Sequence, residues 1–311
     1  EQESTYKSES TPRYHARDIA KFRVNYNRAY CLLCSATPSV ESYYMAQSGK
    51  YRYHALHHRY GDAVVPTVQL VDMNNEDLYR GKPMISMALA RAVSENIRAG
   101  RQSILLLNRR GYHTYAVCKD CKTVAACPNC SISMTYHAAN NRLMCHYCGH
   151  SEPAYVRCKA CGGELTFSGG GTQKAEDQLR EAFPEARILR VDTDTTANKY
   201  ALEKKLNAFA NGEYDIMIGT QMVAKGLDFE NVTLVGVLSA DQSLYSDDYR
   251  SNERTFDLLT QVVGRAGRGR YRGMALIQTH VPENPYLHLA AAQDYESFFE
   301  AEIRFRRAML Y

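Results

Sequence analysis

The stretch CKDCKTVAACPNCSISMTYHAANNRLMCHYCGHSEPAYVRCKAC, residues 118–161, holds eight of the chain's ten cysteines as four Cys-x-x-Cys pairs. The pairs are Cys118/Cys121, Cys127/Cys130, Cys145/Cys148 and Cys158/Cys161. Eight thiols fill two tetrahedral four-sulfur sites, and a closed, structural Zn2+ site takes four thiolates at about 2.3 Å. The linker 131–144 reads as a β-hairpin, SMTYHAANNRLM, with its turn near Ala-Asn-Asn. Such a hairpin brings Cys127/Cys130 against Cys145/Cys148 as one site. Cys118/Cys121 and Cys158/Cys161 then share the other. Sequential pairing of the first two and last two pairs is the alternative, cramped by the short linker 122–126. Gly149, Gly162 and Gly163 suit tight knuckle turns. Disulfides, an iron–sulfur cluster and buried free thiols are the competing uses. Four pairs in a row disfavour chance burial, and the absence of a signal peptide favours metal over disulfides. With eight sulfurs available, His137, His146 and His150 read as surface residues. Cys31 and Cys34 share the spacing but fall in an apolar run and read as core.

Working outward, the cysteine stretch interrupts an alternation of strands and helices. Before it, Tyr30–Cys34 reads as a short buried strand. Residues 39–48 read as a helix capped by Ser39, and 68–71 as a strand closing a first region. Residues 74–83 read as a linker, 84–99 as a helix, and 104–107 (ILLL) as a strand buried on both faces. After the interruption, strands are expected at 165–167, 187–191, 215–218, 234–238 and 274–279. Helices are expected at 173–183, 199–211 and 253–263, and an amphipathic helix at 285–311. This alternation predicts an α/β fold with an open, mainly parallel sheet. The expected division is 1–73, 74–117, an inserted two-metal module at 118–163, 164–284, and 285–311 as the start of a further domain.

At 311 residues, 45% hydrophobic and 23% charged, the chain has room for two or three domains. It has no long apolar run, so no membrane span is expected. A polar start without Met reads as an excised piece of a cytoplasmic protein. Two all-thiolate zinc sites would bring the formal charge of +4 close to zero. Any nucleic-acid binding must then come from local patches.

The second informative stretch is Gln261-Val-Val-Gly264-Arg265-Ala-Gly-Arg268, at the end of an expected helix. Two arginines flanked by small residues can meet charge developing on a transferred γ-phosphate. Gly219-Thr220-Gln221-Met222-Val223-Ala224-Lys225-Gly226-Leu227-Asp228 follows an expected strand, at the carboxyl edge where open α/β sheets bind ligands. Gly169-Gly-Gly171-Thr172 also precedes a helix, and its amides suit a phosphate. The chain has no complete Gly-x-x-x-x-Gly-Lys-Ser/Thr and no Asp-Glu pair after an apolar strand. By itself it is expected not to hold and cleave ATP.

These residues together resemble the superfamily 2 helicases, and within them the replication-restart family, which carries an eight-cysteine insertion in its second RecA-like lobe. Ser35-Ala36-Thr37 resembles the third motif of the superfamily. Gly171-Thr172, Gly219 to Asp228 and Gln261 to Arg268 resemble the fourth, fifth and sixth. Asn108 to Tyr112 is also similar to the family. Glu1-Gln2 resembles the end of an Asp-Glu-x-His box, with Gln in the usual His position. The resemblance implies a RecA-like helicase lobe with a parallel sheet, the inserted double zinc module and a partial first RecA-like lobe. It implies an ATP-dependent 3′–5′ DNA helicase for replication restart and primosome assembly, inactive as this piece alone. Catalytic roles fall on Arg265, Arg268 and Gln261, and nucleotide contact on Gly226, Asp228 and Gly264. DNA contact falls on Tyr6, Tyr14, Arg17, Gly171, Thr172, Thr220 and Gln221. The region Thr5–Arg17 is similar to an aromatic-rich loop in which rings stack on bases. The implied cofactors are two structural Zn2+, with ATP and Mg2+ in the intact protein. The implied partners are single-stranded and forked DNA, primosome proteins and single-strand binding protein. The expected state is a nucleoid-associated monomer without membrane attachment. The rival from another class is a zinc-dependent nucleic-acid or protein binding module with a degenerate motor.

Overall fold

The computed structural model describes residues 6–8, 11–56, 65–107, 114–121, 123–129, 133–137, 141–145, 148–168, 172–191, 199–220, 223, 229–244, 248–269 and 271–310. The chain divides into two compact units, 1–58 with 293–311, and 59–292.

The larger unit is built on six parallel strands in the order β1-β11-β10-β2-β9-β8. They are β1 (Thr67–Asp72), β2 (Gln102–Leu107), β8 (Ile188–Val191), β9 (Ile216–Gly219), β10 (Val232–Ser239) and β11 (Met274–Thr279). The run ILLL lies in β2, between β10 and β9, and every residue of that strand is buried. Helix α3 (Met87–Arg98) and helix α4 (Thr172–Ala182) cover one face. There Leu89, Val93 and Leu179 pack with Leu105, Leu107 and Leu234. By alternation Ile104 and Leu106 serve the other face, where α7 (Ser251–Val263) lies against β10. Gly236 of β10 shows how close α3 comes. A Cβ there would sit 2.6 Å from Leu105 Cδ2 and 2.9 Å from Leu89 Cδ1. α5 (Lys199–Ala210), the one-turn α6 (Asp241–Leu244) and α8 (Pro285–Ala292) complete this layer.

The inserted module is a second sheet, antiparallel, in the order β6-β5-β4-β3-β7. Its strands are β3 (Thr114–Cys118), β4 (Thr135–His137), β5 (Arg142–Met144), β6 (Ser151–Pro153) and β7 (Leu165–Ser168). The β4–β5 hairpin falls within the expected SMTYHAANNRLM. Three sequence readings within these elements and the tail differ from what is found, and a fourth, Tyr30–Cys34, differs in the smaller unit. Leu165–Ser168 pairs with β3 instead of joining the parallel sheet, so the insertion is framed by its own first and last strands. Thr67–Asp72 pairs along its whole length with β11 and belongs to the larger unit, not to the first region. The single helix expected over 285–311 is two, α8 and α9 (Tyr295–Ala308), broken where Gln293 adopts φ 55°.

The smaller unit contains α1 (Ala16–Tyr26), α2 (Val40–Gln47) and α9. Ser39 caps α2 as its sequence implied, accepting from the amide of Ser42. The run Tyr30–Cys34 is neither a strand nor buried. Tyr30 and Leu32 are exposed, as are Cys31 and Cys34. An apolar run becomes a buried strand only when a neighbour takes its amides, and no described strand pairs with this one.

Candidate metal centre and nucleotide-facing edge

The cysteine pairs meet in the nested arrangement. The sulfurs of Cys118, Cys121, Cys158 and Cys161 lie within 4.8 Å of one another, and those of Cys127, Cys145 and Cys148 form a second group. Cys130 lies outside the described residues. Within the first group Cys118 and Cys161 are 3.4 Å apart and Cys121 and Cys158 3.6 Å. In the second, Cys127 and Cys148 are 3.6 Å apart. A tetrahedron with 2.3 Å arms has edges of about 3.8 Å, so the donor sets fit Zn2+.

The knuckles repeat one local fold. The amide of the first cysteine donates to the carbonyl five residues on: Cys118 to Thr123, Cys145 to His150, Cys158 to Gly163. In the latter two, Gly149 and Gly162 return a bond to the first cysteine's carbonyl. Their φ values of 77° and 75° explain the glycine after each pair. In each fully described pair the first cysteine is buried and the second exposed. Cys118, Cys127, Cys145 and Cys158 share the module's small core with Met134, Leu143 and Leu165.

Charge reinforces this reading. The hydroxyl and amide of Thr123 pull the Cys121 thiol down to about 6. Although the Gly163 amide favours its thiolate, the neighbouring sulfurs of Cys121 and Cys118 push Cys161 up to about 12. Four sulfurs this close ionise together only beside a cation.

The arginine motif takes shape at the opposite end of the parallel sheet from the module. α7 ends with Gly264 as its C-cap. Gln261 sits in its last turn, half-buried, and Arg265 just beyond the cap is also half-buried. Arg268 is exposed, and its Nε donates to the Gly264 carbonyl at 2.9 Å. Gly267 donates its amide to the carbonyl of Val232, the first residue of β10. A Cβ on Gly267, whose φ is 70°, would collide with the backbone of Gly273. The small residues between the arginines therefore serve close packing of the chain on itself. Gly269 lies so near Glu230 that a side chain there would strike its carbonyl. The fifth-like segment thus begins on the carboxyl edge, where Thr220 follows β9. Glu230, just after that segment in sequence, stands at the amino edge beside Gly269. Gln221, Gly226 and Asp228 lie outside the described residues.

The carboxyl edge holds the other half of the expected residues. The chain leaves for the module after Leu107, next to β9, since Leu106 pairs with Gly219. Thr220 stands at this edge, half-buried. Thr172 opens α4 and is buried, while Gly171 lies outside the described residues. In the smaller unit Tyr6 and Tyr14 are each about half exposed, beside a bridge between Lys7 and His15. Arg17 is engaged within the fold: its Nη1 donates to Ser39 Oγ at 2.9 Å and to Ser42 Oγ at 3.4 Å.

Residues 127–153 match the PriA DNA helicase Cys-rich region domain, and 165–270 the helicase conserved C-terminal domain. The Replication restart protein PriA of Bacillus subtilis is 49% identical over 312 residues, covering 100% of this chain and 39% of the relative. That of Chlamydia pneumoniae is 41% identical, covering 100% of this chain and 42% of the relative. Over its whole length the chain is similar to these PriA proteins. It spans about two fifths of the length of these curated relatives. Among solved structures it is similar to RecG bound to a three-way DNA junction, at 13% identity and a TM-score of 0.46, over 86% of this chain and 26% of that one. Among the described residues no helix is long and apolar enough to cross a membrane.

The sequence reading missed a polar cluster at the carboxyl edge. Asp241 is buried, and its carboxylate accepts from the Thr279 hydroxyl and from the His280 amide at 2.9 Å. Burial pushes its carboxyl up against those donors. Nearby, Asp72 accepts from the amide and side chain of Asn74, each at 2.9 Å, and the Asn74 amide holds its carboxyl low. Asn74 also reaches the His280 carbonyl at 2.7 Å. The signal was available: each group lies at the end of an expected strand. None, however, falls in a spacing that sequence alone singles out.

Proposed function

We propose that this chain supplies the second motor lobe and the zinc module of an ATP-dependent DNA helicase acting in replication restart. The observation that carries this reading is the meeting of Glu230 with Gly269 at the amino end of β10. It brings the chain just after the fifth-like segment against the chain just after the arginine motif. Asp228 and Gly226 precede Glu230 in sequence, and in this reading one ligand meets both segments. Arg265 and Arg268 are suited to neutralise the γ-phosphate of ATP bound with Mg2+ against a first lobe. Gln261 and Gly264 position that turn. DNA is assigned to the carboxyl edge, to Thr172, Thr220, Gly171 and Gln221, with Tyr6 and Tyr14 stacking on bases. Arg17 has its guanidinium on two serines and is better placed to shape the smaller unit than to meet phosphate. Each cysteine group holds one structural Zn2+, and the module, rooted beside Thr220, meets the fork and partner proteins. The direction of travel, 3′ to 5′, and the primosome and single-strand binding protein as partners belong to the same reading, as does a cytoplasmic site of action.

The test is Arg268→Ala in the full-length protein. The side chain is exposed and its bond from Nε to the Gly264 carbonyl is local, so folding survives. DNA-stimulated ATP hydrolysis falls by about 10³-fold, as for loss of an arginine that stabilises the transferred phosphoryl group. Hydrolysis within threefold of the parent would remove Arg268 from the motor. No stimulated hydrolysis in the parent itself would favour a zinc-dependent binding module.

A further inference from the structure

The last helix of the smaller unit grips a turn far away in sequence. α9 begins at Asp294, whose carboxylate accepts from the Ser297 amide at 3.0 Å. The buried side chains of α9 are Phe298, Phe299, Glu302 and Arg306, in one stripe. The Tyr295 hydroxyl donates to the Pro38 carbonyl at 2.6 Å. The rings of Tyr295 and Phe299 meet Tyr43 of α2 edge-on, at 5.1 and 4.7 Å. Two turns on, Arg306 donates through Nε to Glu302 at 2.9 Å and through Nη1 to Glu41 at 3.3 Å. Pro38 directly precedes the cap of α2, and Glu41 lies in that helix's first turn. The start of α2 is therefore held at its entering backbone and on its first turn. Both of these grips come from one helix, while Arg17 of α1 holds the Ser39 and Ser42 hydroxyls beside them.

We propose that α9 is a clamp that sets the position of the Ser35–Ser39 turn, with Tyr295 as its positioning residue, acting through the Pro38 carbonyl. The proposal rests on the motor reading above, in which this turn resembles the third helicase motif. The turn needs an outside hold. Its internal bond runs from the Thr37 amide to Ser35 Oγ at 3.0 Å. Thr37 is fully buried, and its hydroxyl has no partner among the described residues. A buried hydroxyl without a partner works against the conformation that contains it. Gln293 and Asp294 join α9 covalently to α8, in the unit that carries Arg265 and Arg268.

The test is Tyr295→Phe in the full-length protein, which keeps the ring against Tyr43 and removes only the hydroxyl. Hydrogen exchange of the amides of residues 39–43 is read beside DNA-stimulated ATP hydrolysis. The clamp requires exchange there to rise about tenfold with the melting temperature nearly unchanged. It also requires stimulated kcat to fall about fivefold at constant KM for ATP. Unchanged exchange at 39–43 overturns the clamp whatever hydrolysis does. Faster exchange with parental kcat makes α9 a brace without a positioning role, and also overturns it. So does a fall in melting temperature with exchange rising throughout the unit. Absence of stimulated hydrolysis in the parent is seen before any substitution. It ends the motor reading and this role with it.

Discussion

The two sheets of the larger unit reach stability by opposite routes. The parallel sheet buries long aliphatic side chains from both faces, and its central strand β2 is covered completely. The antiparallel module has strands of three to five residues. Four of the nine buried residues in its core are the first cysteines of the four pairs. An apolar core of that size is too small to hold five short strands. The difference teaches where the metal belongs energetically: in the module it replaces the core, and in the parallel sheet nothing asks for it.

Metal removal is the strongest way to break that comparison. A structural zinc site contributes on the order of 10 kcal/mol of apparent binding free energy, which in a small module is folding free energy. Chelation of the full-length protein should release two zinc ions per chain and open residues 114–168 to protease. The parallel sheet should stay resistant. Cys145→Ser should lose one zinc and Cys118→Ser the other, because the two groups are separate. A module that stays protected after chelation would mean that its apolar residues suffice.

Leu105→Ala sharpens the comparison from the other side. Leu105 is fully buried between β10 and β9 and touches the face covered by α3. The cavity should cost about 2–5 kcal/mol. Zinc content should remain two per chain, because no ligand depends on that face. Loss of zinc together with melting of the sheet would show the two folding as one cooperative unit.

How much of this was legible follows the same divide. The spacing of the cysteines carried the module, down to the nested grouping, because ligand geometry leaves few arrangements. ILLL announced a buried parallel strand because an uninterrupted apolar run has no polar face to expose. Tyr30–Cys34 looks the same and is exposed, because periodicity reports what a segment can bury and not whether a neighbour exists. Residues 165–167 read as a strand, yet the partner of that strand, β3, lies almost fifty residues back, and pairing is not a local property. The arginine motif was legible as a helix end with small residues between two arginines. That Ala266 and Gly267 serve packing against Val232 and Gly273 was not, because a close backbone approach looks the same whether ligand or chain is approaching.

The smallest expected effect lies at the amino edge of the parallel sheet. Asp215 precedes β9 and accepts from the Arg187 amide at 2.8 Å, from Nε at 3.1 Å and from Nη2 at 2.6 Å. The Arg187 side chain, followed by its amide, holds this carboxyl below its ordinary 3.8. A lowered acid contributes stability that is complete above the unfolded value. That stability is lost as pH falls through the folded one. The Arg187 side chain is 55% exposed, so solvent screens the pair. Asp215→Asn should cost only about 1 kcal/mol at neutral pH. The difference between parent and variant should shrink as pH drops from about 5 towards 3, as the parent loses what the variant never had. A difference that holds constant across that window would mean that the effect does not depend on the ionisation of Asp215. The parallel sheet would then owe nothing to charge at this edge, and the contrast with the thiolate-built module would be complete.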